Sequence, residues 1–127
     1  LNAGAAGIVV SNHGGRVLAD EPGTAEVLPA IADAIHGRCM ILVDGCVKRG
    51  TDVEKYIALG ADACLAGRHF VRGAHGALAD GVELFANTIR NELAVAMTLT
   101  GAAKVKDINR KMIRMTTPPP LAFGVPA

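Results

Sequence analysis

Aromatic side chains are scarce in this sequence of 127 residues. It has no tryptophan, one tyrosine and three phenylalanines, although half of its residues are hydrophobic. The length is enough for one ordinary domain with a single core, and that core has to be built from alanine, valine, isoleucine and leucine. A core of this kind favours an α/β fold, in which helices cover a sheet.

Charge of one sign is also missing. The 13 basic and 12 acidic residues give a net charge of +1 and are interspersed along the chain. Without an extended field of one sign, the sequence argues against nucleic acid or anionic lipid as a partner. No run approaches the roughly 20 apolar residues of a membrane span. We therefore expect neither a nucleic-acid nor a membrane partner.

The cysteines form no recognisable framework. Cys39, Cys46 and Cys64 are odd in number and lack CxxC spacing, and no signal-peptide pattern precedes them. This favours a reducing, cytoplasmic setting, and no metal site is predicted. The chain opens at Leu1, without methionine, and "LNAGAAGIVV" is typical of a helix end that leads into a strand. We expect the front of a larger protein to be missing.

Three apolar runs in the sequence end in polar turns. Their apolar residues do not alternate with polar ones, which is typical of parallel strands buried on both faces. We therefore predict three parallel strands within residues 4–12, 39–46 and 60–68.

The segments between these runs have helical spacing. Thr24 can cap a first helix that extends to Ile35, and a second helix is predicted from about Thr51 to Leu59. The predicted order is β-α-β-α-β. Right-handed crossovers of this kind fit either an open sheet or part of a closed barrel. A TIM barrel typically needs about 250 residues, so this chain could supply at most half of one.

Two more helices are predicted after the third run, from Ala77 to Leu99 and from about Lys104 to Met112. The remaining residues, 114–127, contain three consecutive prolines, which exclude a continuous helix. We expect this segment to be a separate tail that wraps the surface or is disordered.

Four stretches carry a family resemblance: AGAAGIVVSNHGGR, PGTAEVLPAI, ILVDGCVKRGTDVEKYIALGADACLAGR and NELAVAMTLTGAAKVKDI. Together they resemble the C-terminal part of the FMN-dependent 2-hydroxy acid dehydrogenases and oxidases, the lactate and glycolate oxidase family. Within that family the sequence is most similar to the shorter bacterial alpha-hydroxy-acid oxidizing proteins. The resemblance implies that residues 1–113 form strands six to eight and the closing helices of a TIM (β/α)8 barrel.

The string SNHGGR offers two of the groups that such an enzyme needs. Oxidation of a small L-2-hydroxy acid such as lactate to the 2-keto acid requires a base, a cation for the carboxylate and an acceptor for two electrons. An imidazole such as that of His13 can take a proton near neutral pH, and the planar guanidinium of Arg16 can bind a carboxylate through two hydrogen bonds. The resemblance implies that His13 is the catalytic base and contacts the substrate, that Arg16 binds the substrate, and that Ser11 lies beside the flavin ring.

Two further loops are candidates for binding the phosphate of FMN. They follow the second and third apolar runs, which correspond to the loops after strands seven and eight, where TIM barrels commonly bind phosphate. Backbone N–H groups in both loops could cradle the anion, and a lysine and an arginine add positive charge. The predicted cofactor-binding residues are Ser11, Asp44, Gly45, Cys46, Val47, Lys48, Gly67 and Arg68.

The sequence departs from the family at several of these positions. The phosphate loop of the family usually reads DGGVRRG. In this sequence Cys46 replaces the second glycine and Lys48 replaces the first arginine of that motif. In the histidine-containing stretch, Ala19 takes the place of an aspartate. These differences leave a second hypothesis open, a noncatalytic half-barrel module that binds FMN or another phosphate ligand. A third hypothesis is another phosphate-binding barrel oxidoreductase or isomerase, against which SNHGGR argues.

Part of the expected site is absent from this sequence. In the family, the polar groups that line the flavin ring and the aspartate that orients the histidine come from earlier strands. The resemblance therefore implies that the chain pairs with the rest of the barrel or forms a homo-oligomer. On its own, it is expected to turn over a 2-hydroxy acid poorly or not at all.

Overall fold

The computed structural model describes residues 2–116. The α/β fold and the order β-α-β-α-β predicted from the sequence are confirmed. Most of the predicted tail, residues 117–127, lies outside the described part. The elements are β1 (Gly7–Val10), α1 (Thr24–Ile35), β2 (Met40–Val43), α2 (Gly50–Leu59), β3 (Ala63–Cys64) and α3 (Gly67–Thr100), followed by two 3-10 turns, Val105–Asp107 and Arg110–Met112.

The three strands form one parallel sheet in the order β1-β2-β3. Strand β1 pairs with β2 from Gly7 opposite Met40 to Val10 opposite Val43. Strand β3 is shorter than its apolar run suggests, and it pairs with β2 at Val43 opposite Cys64. Because the strands are parallel, the loops that follow them leave the sheet along one edge.

One face of the sheet is covered and the other is bare. Helices α1 and α2 pack on the covered face, where Leu28 and Val43 are fully buried. On the opposite face, Val9 and Met40 are 52% and 56% exposed. The prediction of strands buried on both faces is therefore wrong for the face that carries Val9 and Met40. Within the described residues, helices α1 and α2 cover only the opposite face. The main core consists of Val10, Leu28, Ile41, Val43, Val47, Tyr56, Leu59 and Ala61.

Helix α1 has the predicted bounds, Thr24–Ile35, but its start differs from the prediction. Gly23 is the N-cap residue and Thr24 is the first helical residue. The Thr24 hydroxyl donates instead to the carbonyl oxygen of Asp44 at 2.6 Å. The predicted cap is therefore wrong, because this hydroxyl bonds to the loop after β2.

Helix α2 begins one residue earlier than predicted, at Gly50. The carboxylate of Asp52 accepts hydrogen bonds from the backbone N–H groups of Lys48 and Arg49, both at 3.0 Å. The N–H of Gly50 donates to Oε2 of Glu92 on α3 at 2.8 Å. These carboxylates bind the N–H groups of the first helical residue and of the two residues before it, and the N-terminus of α2 is thereby fixed.

Helix α3 is longer than the predicted helix Ala77–Leu99 because a helical segment, residues 67–76, precedes it. The two segments meet at a break, where Ala77 and Leu78 have non-helical dihedral angles. Leu78 has φ 48° and ψ −127°, a conformation that strongly favours glycine. No helix within residues 2–116 has the length and apolarity needed to cross a membrane.

The two segments of α3 pack against each other at glycines and aromatic rings. A Cβ atom placed on Gly73 would lie 2.6 Å from the carbonyl oxygen of Gly81, so the two backbones touch. The ring of Phe85 stacks on His69 at 5.7 Å and meets the edge of Phe70 at 4.8 Å. The segment 67–76 is thus attached to the second segment by contacts of its own.

The predicted helix from Lys104 to Met112 is wrong. Two 3-10 turns occupy this region, and Ile108 between them is extended. The side chain of Ile108 is buried in a second cluster with Ala58 and Ala102. The side chain of Asn109 accepts a hydrogen bond from the N–H of Lys111 and caps the second turn.

Candidate functional site

An open cleft of about 580 Å³ lies where the loops after the three strands meet. All of the predicted site residues except Ser11 line it. His13 and Arg16 therefore line the same cleft as both of the loops predicted to bind phosphate. The lining residues are His13, Gly14, Arg16, Asp44, Gly45, Cys46, Val47, Lys48, Leu65, Ala66, Gly67, Arg68, His69 and Arg72.

The loop after β1, residues 11–16, is here called the histidine loop. His13, Gly14 and Gly15 all have positive φ angles, of 52°, 67° and 69°. The hydroxyl of Ser11 accepts the N–H of His13 at 3.1 Å, and the side-chain oxygen of Asn12 accepts the N–H of Gly14 at 3.0 Å. Three successive left-handed residues reverse the chain tightly, and this reversal brings His13 and Gly14 to the cleft.

His13 and Arg16 are exposed on this loop. Within residues 2–116, the imidazole of His13 and the guanidinium of Arg16 form no hydrogen bond or ion pair with another residue. Both functional groups are therefore available to a ligand. No described residue fixes the orientation of either group.

The loop after β2, residues 44–48, is here called the aspartate loop, and two hydroxyls from the core hold its backbone. Thr24 donates to the carbonyl oxygen of Asp44 at 2.6 Å, and Tyr56 donates to that of Gly45 at 2.7 Å. Gly45 has φ 116°, and a Cβ atom there would collide with the Thr24 hydroxyl. Glycine is therefore required at this position by both its backbone angle and its surroundings.

The two hydroxyls also lie 3.0 Å from each other. Thr24 and Tyr56 supply two protons for three contacts, and the two shorter contacts are those to the carbonyl oxygens. Both protons are thus used to hold the aspartate loop. Burial raises the pKa of Tyr56 above its usual value of 10.0, because the phenolate is disfavoured away from water. Tyr56 therefore remains a donor at neutral pH.

Asp44 connects the two loops. Its Oδ2 accepts a hydrogen bond from the Ser11 hydroxyl at 2.7 Å. Ser11 does not line the cleft, but this hydrogen bond joins the histidine loop to the aspartate loop. Its Oδ1 is buried and has no hydrogen-bond partner within residues 2–116. A buried acceptor without a donor is rare in native structures, so this oxygen can take a hydroxyl donor from a ligand.

The loop after β3 leads directly into α3. Ala66, the N-cap residue, offers no side-chain cap, so N–H groups of the first turn remain available to an anion. Apart from the chain neighbours of Gly67 and the adjacent backbone of its own helix, no atom of residues 2–116 lies within 4 Å of a Cβ placed on this glycine. The guanidinium of Arg68 reaches the histidine loop, where its Nη2 atom lies 3.1 Å from a Cβ placed on Gly14.

Positive charge is concentrated in the cleft. Arg16, Lys48, Arg68 and Arg72 line it, together with a single carboxylate, that of Asp44. The whole chain has a net charge of only +1. The arrangement favours a ligand that carries several negative charges.

Arg72 and His69 are cleft residues that sequence reasoning missed. Both lie in the segment 67–76, which was not predicted to be helical. The signal that could have found Arg72 is its spacing from Arg68, because residues four apart lie on the same face of a helix.

The cysteines differ in their surroundings. Cys46 is exposed in the cleft with φ 55°, whereas Cys64, in β3, is partly buried against the main core. Burial raises the pKa of the Cys64 thiol from its usual value of 9.0 to about 11. Within residues 2–116, no group of three or more His, Cys, Asp or Glu side chains is arranged to hold a metal ion.

Comparison with known proteins gives consistent results. The profile of the family described as FMN-dependent dehydrogenase matches residues 1–115. An L-lactate dehydrogenase of Yersinia pestis (strain Pestoides F) is 50% identical over 113 residues, which are 89% of this chain and 30% of that protein. The chain thus spans about 30% of the length of the curated relatives it matches.

Solved structures show the same similarity. A mandelate oxidase variant with a monooxide FMN adduct has a TM-score of 0.83 and 43% identity, over 86% of this chain and 35% of that chain. A lactate oxidase from Pediococcus acidilactici has a TM-score of 0.83 and 40% identity, over 86% of this chain and 30% of that chain.

Proposed function

This chain belongs to the FMN-dependent dehydrogenase family, and from that premise we propose that it carries part of a site for FMN-dependent oxidation of a small L-2-hydroxy acid. The product is the 2-keto acid, and a lactate-like substrate is favoured because similar proteins are named lactate dehydrogenase and lactate oxidase. The observation that carries the proposal is the single cleft shared by His13, Arg16 and the two loops predicted to bind phosphate.

In this proposal residues 1–113 belong to the C-terminal portion of a TIM barrel, with β1 to β3 as strands six to eight. The parallel order of the strands and the similarity to the two oxidases support this assignment. The bare sheet face, with Val9 and Met40, would then face the barrel interior, where TIM barrels pack layers of side chains. The partner of this chain is accordingly the rest of the barrel, or a second copy that covers the same face.

The described residues fit FMN at the positions where its polar groups need partners. Lys48, Arg68 and the N–H groups around Gly67 would hold the phosphate. The unpaired Oδ1 of Asp44 would accept a hydrogen bond from a hydroxyl of the ribityl chain. When bound, FMN supplies an acceptor for the two electrons that the substrate loses.

The residues of the histidine loop would act on the substrate. The guanidinium of Arg16 would bind the carboxylate through two parallel hydrogen bonds and so fix the adjacent carbon, which carries the hydroxyl. His13, with its imidazole free in the same cleft, would accept one of the two protons that leave the substrate during oxidation. Arg16 thus positions the substrate and His13 acts as the base.

A reconstituted barrel tests this proposal. The chain is combined with the N-terminal part of the Yersinia relative, and the product is expected to be yellow and to bleach anaerobically with L-lactate or a similar acid. His13→Gln should keep the colour and abolish bleaching, whereas His75→Gln, at an exposed histidine outside the cleft, should bleach like the wild type. Colour that persists with a broad panel of 2-hydroxy acids contradicts the proposal.

A noncatalytic module that binds FMN or another phosphate ligand is the alternative. It is favoured by the contrast between the aspartate loop, which the core holds, and His13, whose ring has no partner within residues 2–116. This alternative predicts that FMN is retained and that substitution of His13 or Arg16 changes no redox assay.

A further inference from the structure

Arg72 is the cation of the cleft to which the proposed function gives no task. Its side chain is exposed and lines the cleft, and it forms no hydrogen bond or ion pair within residues 2–116, where the ion pair present joins Arg110 to Asp33. We propose that Arg72 is a further phosphate-binding residue, which acts with Arg68 on the phosphate monoester of the cofactor. This inference rests on the proposed function of the cleft.

The geometry of α3 places the two arginines on one side. Arg68 and Arg72 are four residues apart in the continuous helical segment 67–76, so both side chains lie on the same helix face. The Arg68 guanidinium extends to Gly14 of the histidine loop. Arg72 follows one helical turn later, and both arginines line the cleft.

The chemistry of the two groups suits a phosphate monoester. Each guanidinium is a planar fork that can bind two oxygens, whereas Lys48 offers a point charge. A monoester has three terminal oxygens and up to two negative charges. Two forks and one ammonium group can therefore satisfy all three oxygens.

Arg72 is also unfavourable for the chain when no anion is bound. Like charges four residues apart on a helix repel each other. The carboxylate that lines the cleft, Asp44, already accepts a hydrogen bond from Ser11 and does not pair with either arginine. Removal of Arg72 thus relieves repulsion and breaks no hydrogen bond or ion pair within the described residues. A residue that only supports the fold would show the opposite effect on stability.

The test compares Arg72→Ala with Arg90→Ala, an exposed arginine on the same helix outside the cleft. The 127-residue chain is titrated with inorganic phosphate, FMN and riboflavin, which lacks the phosphate, at constant ionic strength. We expect Arg72→Ala to weaken binding of phosphate and FMN about tenfold and to leave riboflavin binding unchanged. Its Tm in chloride should equal or exceed that of the wild type, while the rise in Tm on adding phosphate should shrink. Arg90→Ala should behave like the wild type.

Several results would overturn the role of Arg72. One is an Arg72→Ala variant whose affinity for phosphate and FMN is unchanged, or whose affinities for FMN and riboflavin fall equally. Another is a lower Tm of Arg72→Ala than of the wild type in chloride. The third is a wild-type chain that binds neither phosphate nor FMN. If the chain binds phosphate through Arg72 but the reconstituted barrel binds no FMN, the inference about Arg72 stands and the proposed function fails. If the barrel bleaches through His13 but Arg72→Ala has no effect, the proposed function stands and this inference fails.

Discussion

The histidine loop and the aspartate loop both follow parallel strands and both contain residues with positive φ, yet they are held differently. The backbone carbonyl oxygens of the aspartate loop accept hydrogen bonds from the hydroxyls of Thr24 and Tyr56, whose side chains are buried. The histidine loop is held by its own Ser11 and Asn12, by the hydrogen bond from Ser11 to Asp44, and by a long one of 3.4 Å from the Asn12 side chain to the carbonyl oxygen of Pro22. The loop proposed to bind phosphate is thus bonded to the core of this chain, whereas the loop proposed to bind the substrate has no hydrogen bond to a core side chain within the described residues.

Glycine substitutions should show this contrast most strongly. Gly45→Ala places a methyl group against Thr24 at a backbone angle of φ 116°, and we expect it to lower the free energy of unfolding by about 3 kcal/mol. Gly15→Ala meets no atom within 4 Å and should cost only about 1 kcal/mol, the price of a left-handed alanine. Urea unfolding measures both values. Equal losses at the two positions would show that the core does not hold the aspartate loop.

Tyr56→Phe tests the same support with a smaller change. It removes the hydroxyl that donates to the carbonyl oxygen of Gly45 and leaves that oxygen without this donor, so we expect a loss of about 1–2 kcal/mol. Phosphate affinity should fall as well, because the loop loses its fixed conformation. Isothermal titration with phosphate and urea unfolding provide the two readouts. Wild-type stability together with wild-type affinity would contradict the role given to Tyr56.

Alkaline pH should lower the free energy of unfolding, because two groups near the aspartate loop or in β3 have raised pKa values. Burial raises the pKa of Cys64 from 9.0 to about 11 and also raises the pKa of Tyr56 above 10.0. At a pH between the usual and the raised pKa of either group, that group has lost its proton in the unfolded chain but keeps it in the folded chain. The free energy of unfolding therefore falls as the pH rises. The contribution of Cys64 is complete below pH 9 and is lost as the pH rises through about 11.

Cys64→Ala is therefore expected to reduce the decline in stability between pH 9 and 11. Tyr56→Phe is expected to reduce the decline that begins near pH 10. The urea midpoint at several pH values measures both. Curves that run parallel to the wild type through this range would contradict the assignment.

Ser11→Ala should have the smallest effect on stability. It removes an exposed hydrogen bond to Asp44 and the acceptor for the N–H of His13, and we expect a loss of about 0.5 kcal/mol. Its main effect should be local. Hydrogen exchange should accelerate at residues 13–15 and remain unchanged in the aspartate loop. Faster exchange in both loops would mean that they form one unit.

The sequence was sufficient to predict what depends on local pattern. The apolar runs that end at Asn12 and Asp44 predicted parallel strands, and the turns after them predicted which residues share one edge of the sheet. The bounds of α1 followed from its spacing. Local pattern was sufficient here because each of these features is determined within about ten neighbouring residues.

The features that were missed depend on distant partners or on unusual glycine content. The contact between Thr24 and Tyr56 joins residues 32 apart in the chain, and no local pattern links them. The segment 67–76 contains Gly67, Gly73 and Gly76, which disfavour a helix, yet its packing against Phe85 stabilises it. Because that helix was not predicted, Arg72 could not be assigned to the cleft.

The contact of Gly73 with Gly81 has a consequence for how ligand affinity could evolve. The segment that carries Arg68 and Arg72 rests on the second segment of α3 at a point where only hydrogen atoms separate the two backbones. A methyl group added at either glycine would overlap the facing backbone, so the two segments, and with them Arg68 and Arg72, would have to shift. If the cleft binds an anion as proposed, its affinity could therefore be adjusted at two uncharged residues that do not line the cleft, without altering any charged side chain.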